Sequence, residues 1–477
     1  MHAGDLLVTK YAYFTSALLL LGLIMLAFIY HVNGPEWDLI AHYLNSKSIA
    51  NAGIYANAAL ATNNYGTIEA AGIYFEDFRA PLSSLVMLPL TLLNSRYALL
   101  GYVMLVYLLL IWASTYLADA LGMNRLVTYA AFLSPYLLYF GFIVNGTEAL
   151  SAALLLFGLG LISKRSSYAG ILFGLAALAK YPAMIFFPLL FLLRKPKKIF
   201  YAFLLEAIVI LPWLLFNYDV FGNPLASYMN AFDIALITPF EPLYLGTILS
   251  VFWYPALLCT IAILLFYMLR FRLKPRMREK IFIPKSMAGE IVIGFLVISI
   301  VEFMLVGWHY DVFSQSRFGY LSYFGVSLAA AYMLSRINKI HRRIYGLNLG
   351  NLPFVVAAIC FIVLAYYAFA FHSSMAYYNY ALYNTNGAAS VFSYAKSELY
   401  ALGYGNCSVI SNAWVPMKYV GVNAYMPQYY GIDESQYVVV SFKNVNVKPK
   451  ISGYINESRP VFESKYFEIL VPKNLTC

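Results

Sequence analysis

The feature that most limits what this chain can become is the recurrence of apolar runs about as long as a bilayer is thick, the first of them Tyr11–Tyr30. A helix needs roughly 20 mostly apolar residues to cross the hydrocarbon core. Composition agrees, with 62% hydrophobic and 11% charged residues and a mean hydropathy of +0.69. Soluble globular chains are far less apolar, so the expected fold class is an α-helical polytopic membrane protein.

Basic residues decide how the helices thread. They fall in short loops between apolar runs: Lys164 and Arg165; Arg194, Lys195, Lys197 and Lys198; the stretch from Arg270 to Lys285; and Arg336, Lys339, Arg342 and Arg343. Loops of this kind are retained in the cytoplasm and face anionic head groups. The net charge of +10 is therefore spread over loops rather than gathered on a soluble surface, and membrane lipids, not nucleic acid, are the partners it implies.

The segment Pro81–Leu93 fixes the count, because it is apolar but only about a dozen residues long. If it does not span, every basic loop lies on one side. The remaining runs, at about 96–118, 126–144, 147–163, 167–180, 182–193, 199–216, 245–269, 287–306, 317–335 and 352–371, then make about eleven transmembrane helices with Tyr11–Tyr30. The N-terminus is cytoplasmic and the plasma membrane is the expected location. Lys10 precedes the first run with no small-residue cleavage site after it, which reads as a retained helix.

Two domains follow: 1–371 in the membrane, with a long first outer loop at 31–95, and 372–477 as a small extracytoplasmic α/β domain. In the loop, residues 36–52 have the spacing of an amphipathic surface helix and Asn63-Asn64-Tyr65-Gly66 reads as a turn. In the tail, Ala388–Leu402 reads as a helix, and Cys407–Ser411, Tyr437–Phe442 and Phe467–Val471 read as strands. Cys407 and Cys477 both lie in this polar tail, where an oxidising compartment would allow them to pair.

Ionisable residues gather at the outer helix ends. Glu36 and Asp38 follow the first run, either as interface markers that cap the next helix or as a catalytic base with its neighbour. Glu148 opens a helix behind Thr147, where a carboxylate also suits the dipole. Lys180 either snorkels or contacts a phosphate. Arg317 begins an inward helix at its positive end, which calls for an anionic partner. Within the runs, Glu302 is the better site candidate, Glu290 lies close to an inner basic loop, and Glu206 has no evident role. No His/Cys group has zinc spacing and no glycine-rich phosphate loop is present. No cofactor is called for by these residues, although the carboxylates of Asp38 and Glu148 are compatible with a divalent metal ion.

Six landmarks in order carry a resemblance. They are Glu36-Trp37-Asp38 with Tyr43; Phe75-Glu76-Asp77-Phe78-Arg79-Ala80-Pro81-Leu82; Asn145 to Leu150; Gly174-Leu175 through Lys180-Tyr181-Pro182; Phe216-Asn217-Tyr218 through Asn223-Pro224; and Arg317-Phe318-Gly319-Tyr320. Together they resemble the GT-C class of integral membrane glycosyltransferases, similar to the protein O-mannosyltransferases and the lipid A aminoarabinose transferases. The resemblance covers residues 1 to about 335. It implies a polyprenyl-phosphate-linked sugar as donor and a protein, glycan or lipid acceptor on the outer face. It also implies Asp38 as base, with Glu36 and Glu148 as the other catalytic carboxylates, and Lys180, Arg317 and Arg79 on the donor phosphate. Trp37, Tyr43, Tyr181 and Glu302 would line the substrate. The chain departs from the family in carrying Glu-x-Asp rather than adjacent acids, and Ala80 before Pro81. The expected function is therefore transfer of a hexose or pentose from a lipid phosphate. The same charges would also suit a transporter or flippase for a lipid-linked or anionic substrate.

Overall fold

The computed structural model describes residues 3–33, 37–53, 55, 69–70, 73–74, 79–93, 95–144, 146–229, 231, 245–272, 286–307, 319–345, 351–366, 391–425, 437–443, 458–472 and 475. Glu36, Arg317 and the Asn63–Gly66 turn lie outside these residues, as does the side chain of Trp37.

Among the described residues four helices are long and apolar enough to cross a membrane, within Tyr13–Tyr30, Tyr97–Leu121, Pro196–Phe221 and Met287–Leu305. They belong to α1 (Ala3–Asn33), α4 (Ser95–Leu121), α9 (Pro196–Phe221) and α11 (Met287–Glu302). In chain order the first loop contributes α2 (Trp37–Ala52), a hairpin of β1 (Glu69–Ala70) and β2 (Ile73–Tyr74), and α3 (Leu82–Met87), which continues as a 3-10 turn to Leu92. The bundle is completed by α5 (Arg125–Phe132), α6 (Pro135–Leu138), α7 (Thr147–Ser163), α8 (Ala169–Ala179), α10 (Leu245–Arg272), α12 (Tyr320–Tyr345) and α13 (Leu352–Tyr366).

The expected count of about eleven transmembrane helices is not confirmed by the described residues. The 126–144 run is not one helix. Leu133 ends α5 in an extended conformation, Pro135 restarts the chain, and Tyr139–Val144 continues as a π-helix, because proline removes a backbone donor and disfavours helix in the residue before it. The 167–180 and 182–193 runs become an 11-residue α8 and a 13-residue 3-10 helix, Tyr181–Leu193. With Pro182 and Pro188 in place the 3-10 form is favoured, and at roughly 2 Å per residue it reaches about 26 Å, nearly a bilayer core.

Small residues draw α8 against α9. A Cβ on Gly170 would meet the Ala202 carbonyl oxygen at 1.9 Å, and one on Gly174 would lie 3.1 Å from that of Glu206. This is the four-residue small-residue spacing that lets membrane helices approach closely. It holds the C-terminal end of α8, and hence Lys180, against the bundle.

The basic loops converge on one end. Lys198 Nζ donates to the Arg165 carbonyl at 2.6 Å, Arg194 pairs with Glu290 at 2.5 Å, and Arg336 donates to Ser286 at 3.1 Å. Glu290 thus pairs with Arg194 rather than with the basic loop before it. Glu302, twelve residues further along the same helix, is about 18 Å away at the opposite end.

The tail forms a five-stranded mixed sheet in the order β4-β3-β5-β7-β6. Its elements are α14 (Val391–Ala401), β3 (Val409–Ser411), α15 (Trp414–Tyr419), β4 (Ala424–Tyr425), β5 (Val438–Phe442), β6 (Ser458–Glu463) and β7 (Phe467–Pro472). The three expected strands and the expected helix are present. β6, whose register shifts between Pro460 and Phe462, and the short β4 and α15 are additions. The Asn412 side chain extends the ladder, accepting from the Phe442 N–H at 2.9 Å and donating to its carbonyl at 2.8 Å. Cys407 is disulfide-bonded to a partner outside the described residues, while Cys259 and Cys360 are free.

The expected amphipathic surface helix is instead buried. Every residue of α2 from Leu39 to Ser46 is inside, His42, Asn45 and Ser46 included. Its polar face meets α3, and α15 of the tail covers it from another side, with the Tyr43 and Tyr419 rings 6.2 Å apart.

Candidate active site

The site grows from the seam between α2 and α3. Two contacts bind the two helices: His42 Nδ1 with Ser84 Oγ at 2.9 Å, and the Ser46 hydroxyl donating to the Ser84 carbonyl at 2.6 Å, while the same hydroxyl also reaches the His42 carbonyl of its own helix at 2.7 Å. Holding these helices together brings the first turn of α2 to the residues just before α3. There Arg79 Nη2 donates to Asp38 Oδ1 at 3.1 Å.

A second ion pair stands beside the first. Lys180, between α8 and the 3-10 helix, places its amine 2.7 Å from Glu148 Oε1, and the Thr147 hydroxyl donates to Glu148 Oε2 at 2.7 Å. Gly146 makes this turn. Its φ of +69° is the left-handed conformation that favours glycine, and a Cβ there would meet Leu39 at 2.8 Å and Tyr102 at 2.9 Å. The Tyr102 hydroxyl donates to the Gly146 carbonyl at 3.0 Å and meets Ser83 Oγ at 2.9 Å. The same α3 seam therefore supports both pairs.

His42 lies between the pairs and feels the charges of Arg79, Asp38 and Lys180. Burial, reinforced by the Arg79 guanidinium, pushes its imidazole down to about 3, so it is neutral at physiological pH. Glu302 accepts a hydrogen bond from the Ser322 hydroxyl and is in electrostatic range of Lys180 and Glu148. Two π-helical turns, Tyr139–Val144 and Phe303–Gly307, flank this end of the bundle, and such turns are frequent at functional sites.

Of the residues expected from sequence, Asp38, Arg79, Glu148, Lys180 and Glu302 converge. Tyr43 packs on the tail instead. Tyr181, next to Lys180 in the chain, packs in an aromatic cluster with Trp213 and Tyr228. His42, Ser84 and Tyr102 were not singled out, although the spacing of four from Asp38 places His42 on the same helix face. Among the described residues no group of three or more His, Cys, Asp and Glu could hold a metal ion; Asp38 and Glu148 each face a cationic side chain.

The carboxylates differ in access. The Asp38 side chain is 24% exposed and that of Glu148 only 3%. One can meet an incoming group, while the other is enclosed with both oxygens engaged.

Residues 80–299, just under half of the chain, match glycosyltransferase family 87. No curated protein matches by sequence. The fold is similar to that of ArnT from Cupriavidus metallidurans bound to undecaprenyl phosphate, with a TM-score of 0.60 at 10% identity over 98% of this chain and 99% of that one. It is also similar to the archaeal oligosaccharyltransferase AglB from Archaeoglobus fulgidus in complex with an inhibitory peptide and a dolichol-phosphate, with a TM-score of 0.52 at 12% identity over 91% of this chain and 70% of that one. The chain thus resembles the GT-C class in fold, as its six landmarks anticipated.

Proposed function

We propose that this protein is a membrane glycosyltransferase that passes a hexose or pentose from a polyprenyl phosphate to an acceptor hydroxyl on the outer face of the membrane. The observation that carries the reading is the pairing of two outer-end carboxylates with two cations, Asp38 with Arg79 and Glu148 with Lys180, around a buried neutral His42. The match to glycosyltransferase family 87, and the lipid phosphates named with both similar structures, support a lipid-phosphate donor.

A cation that already holds a carboxylate is placed to take a phosphate in its stead. When the donor phosphate engages Arg79 and Lys180, Asp38 is released toward the acceptor. The acceptor oxygen then attacks the anomeric carbon while Asp38 takes its proton. A new carbon–oxygen bond forms, the bond from that carbon to the phosphate oxygen breaks, and the electron pair stays on the phosphate, where the two cations offset its growing charge. Glu148 positions Lys180. Arg317 joins the phosphate contacts, Trp37 lines the substrate, and Glu36 is the base that would replace Asp38.

Orientation follows from the two ends. Convergence of the basic loops at the end opposite the site supports a cytoplasmic N-terminus, and the disulfide at Cys407 supports an extracytoplasmic tail. The contact of α15 with α2 supports a role for that tail in selecting the acceptor.

The test is Asp38→Asn in a reconstituted assay with a labelled polyprenyl-phosphate sugar. Transfer should fall by about 10²–10⁴-fold, the range expected for loss of a general base, while the lipid phosphate still binds. Full transfer by Asp38→Asn, lost on Glu36→Gln, would move the role to Glu36.

A further inference from the structure

We infer that the outer end of α9 and the turn after it form a subsite for the uncharged sugar ring of the donor, with Asn217 and Tyr228 as its hydrogen-bonding edge. The inference deepens the transferase reading and rests on it.

A chain of hydrogen bonds leads to this edge. The Trp213 indole N–H, which can only donate, donates to the Tyr181 hydroxyl at 3.0 Å. The Ser227 hydroxyl is the other polar neighbour of the Tyr181 oxygen. The Ser227 hydroxyl in turn donates to Asn217 Oδ1 at 2.5 Å. The amide thus turns its oxygen toward Ser227 and its NH2 to the other side. That NH2 belongs to a fully buried side chain and has no hydrogen-bond partner among the described residues. The Tyr228 hydroxyl, whose ring lies 4.4 Å from that of Tyr181, is likewise buried without a partner. Buried donors are nearly always matched. An unmatched amide bonded to Ser227, and an unmatched hydroxyl on a ring packed against Tyr181, mark where an oxygen acceptor belongs.

Position and chemistry identify that acceptor. Tyr181 is bonded directly to Lys180, and Tyr55, with its ring 5.4 Å from Trp213, reaches the Arg79 carbonyl at 3.4 Å. The group therefore adjoins both cations assigned to the donor phosphate. It is built from aromatic rings, hydroxyls and an amide. Charged oxygens are served by Arg79 and Lys180, whereas ring faces with neutral donors suit a sugar, whose hydroxyls accept from the amide and whose C–H face packs on a ring.

The experiment uses the full-length reconstituted protein carrying Asn217→Ala or Tyr228→Phe, the latter removing a single oxygen and leaving the packing. The probes are undecaprenyl phosphate alone and a panel of undecaprenyl-phosphate-linked hexoses and pentoses. With the donor the wild type uses best, kcat/KM should fall about tenfold in Asn217→Ala and about threefold in Tyr228→Phe, as for loss of one hydrogen bond to substrate. The Kd for bare undecaprenyl phosphate should stay within about twofold in both. Equal loss for charged and bare lipid overturns the subsite, and so does unchanged kcat/KM in both variants, which would make the unmatched groups a water site. A wild type that neither binds undecaprenyl phosphate nor uses any donor overturns the transferase reading itself, and the subsite with it.

Discussion

The two ends of the bundle use the same chemistry in opposite surroundings. At the basic end Arg194 and Glu290 pair at 2.5 Å with side chains 56% and 33% exposed. At the other, Lys180 and Glu148 pair at 2.7 Å with 24% and 3% exposed. Exposed pairs are screened and contribute little to stability. Enclosed pairs cost desolvation that their attraction barely recovers. A fold that needed only stability would have little reason to enclose Glu148 with Lys180, and the difference agrees with the proposal that the chemistry belongs to the enclosed end.

Three measurements would break or sharpen this contrast. The largest effect belongs to Glu148→Ala, which strands the Lys180 amine in a mostly enclosed site. It should lower the unfolding free energy in detergent by about 3 kcal/mol, and a loss below about 1 kcal/mol would mean that the enclosed pair behaves like an exposed one.

Next is a pH effect at His42. Its folded value of about 3 lies below the ordinary 6.5. The stability it contributes is therefore complete above pH 6.5 and drains as pH falls toward 3. Between pH 6.5 and 5 the loss should reach about 2 kcal/mol, read as a falling unfolding midpoint that is flatter in His42→Gln. Equal slopes in the two proteins would remove His42 from the buried seam.

The smallest effect belongs to Arg194→Ala, which should change stability by less than about 1 kcal/mol and leave sugar transfer near the wild-type rate. A large loss of transfer would mean that the basic end takes part in the reaction.

The same contrast explains what could be read in the sequence. The long helices α1, α4 and α9 announced themselves, because crossing lipid needs an unbroken apolar run. The break between α5 and α6 was signalled by Ser134-Pro135 but hidden inside a run that is apolar throughout. In α2, His42, Asn45 and Ser46 look like a water-facing side. Only the arrival of Ser84 from α3, and of α15 from the tail, turns them inward. For the site, residue types at outer helix ends were enough to pick out Asp38, Glu148 and Lys180. Their pairing was not legible, since Arg79 and Asp38 lie 41 residues apart, and no periodicity spans such a separation. The Trp213–Tyr181–Ser227–Asn217 chain was hidden for the same reason, its members sitting on three separate elements.

The central claim is that a lipid phosphate is held by the cations of the enclosed end. The most direct measurement is the Kd for undecaprenyl phosphate in the wild type, Arg79→Gln and Arg194→Ala, each checked as folded. Arg79→Gln should bind about ten- to a hundredfold more weakly, as for loss of a charge-assisted hydrogen bond, with Arg194→Ala unchanged. Equal affinity in all three, or weakening confined to Arg194→Ala, would contradict the account.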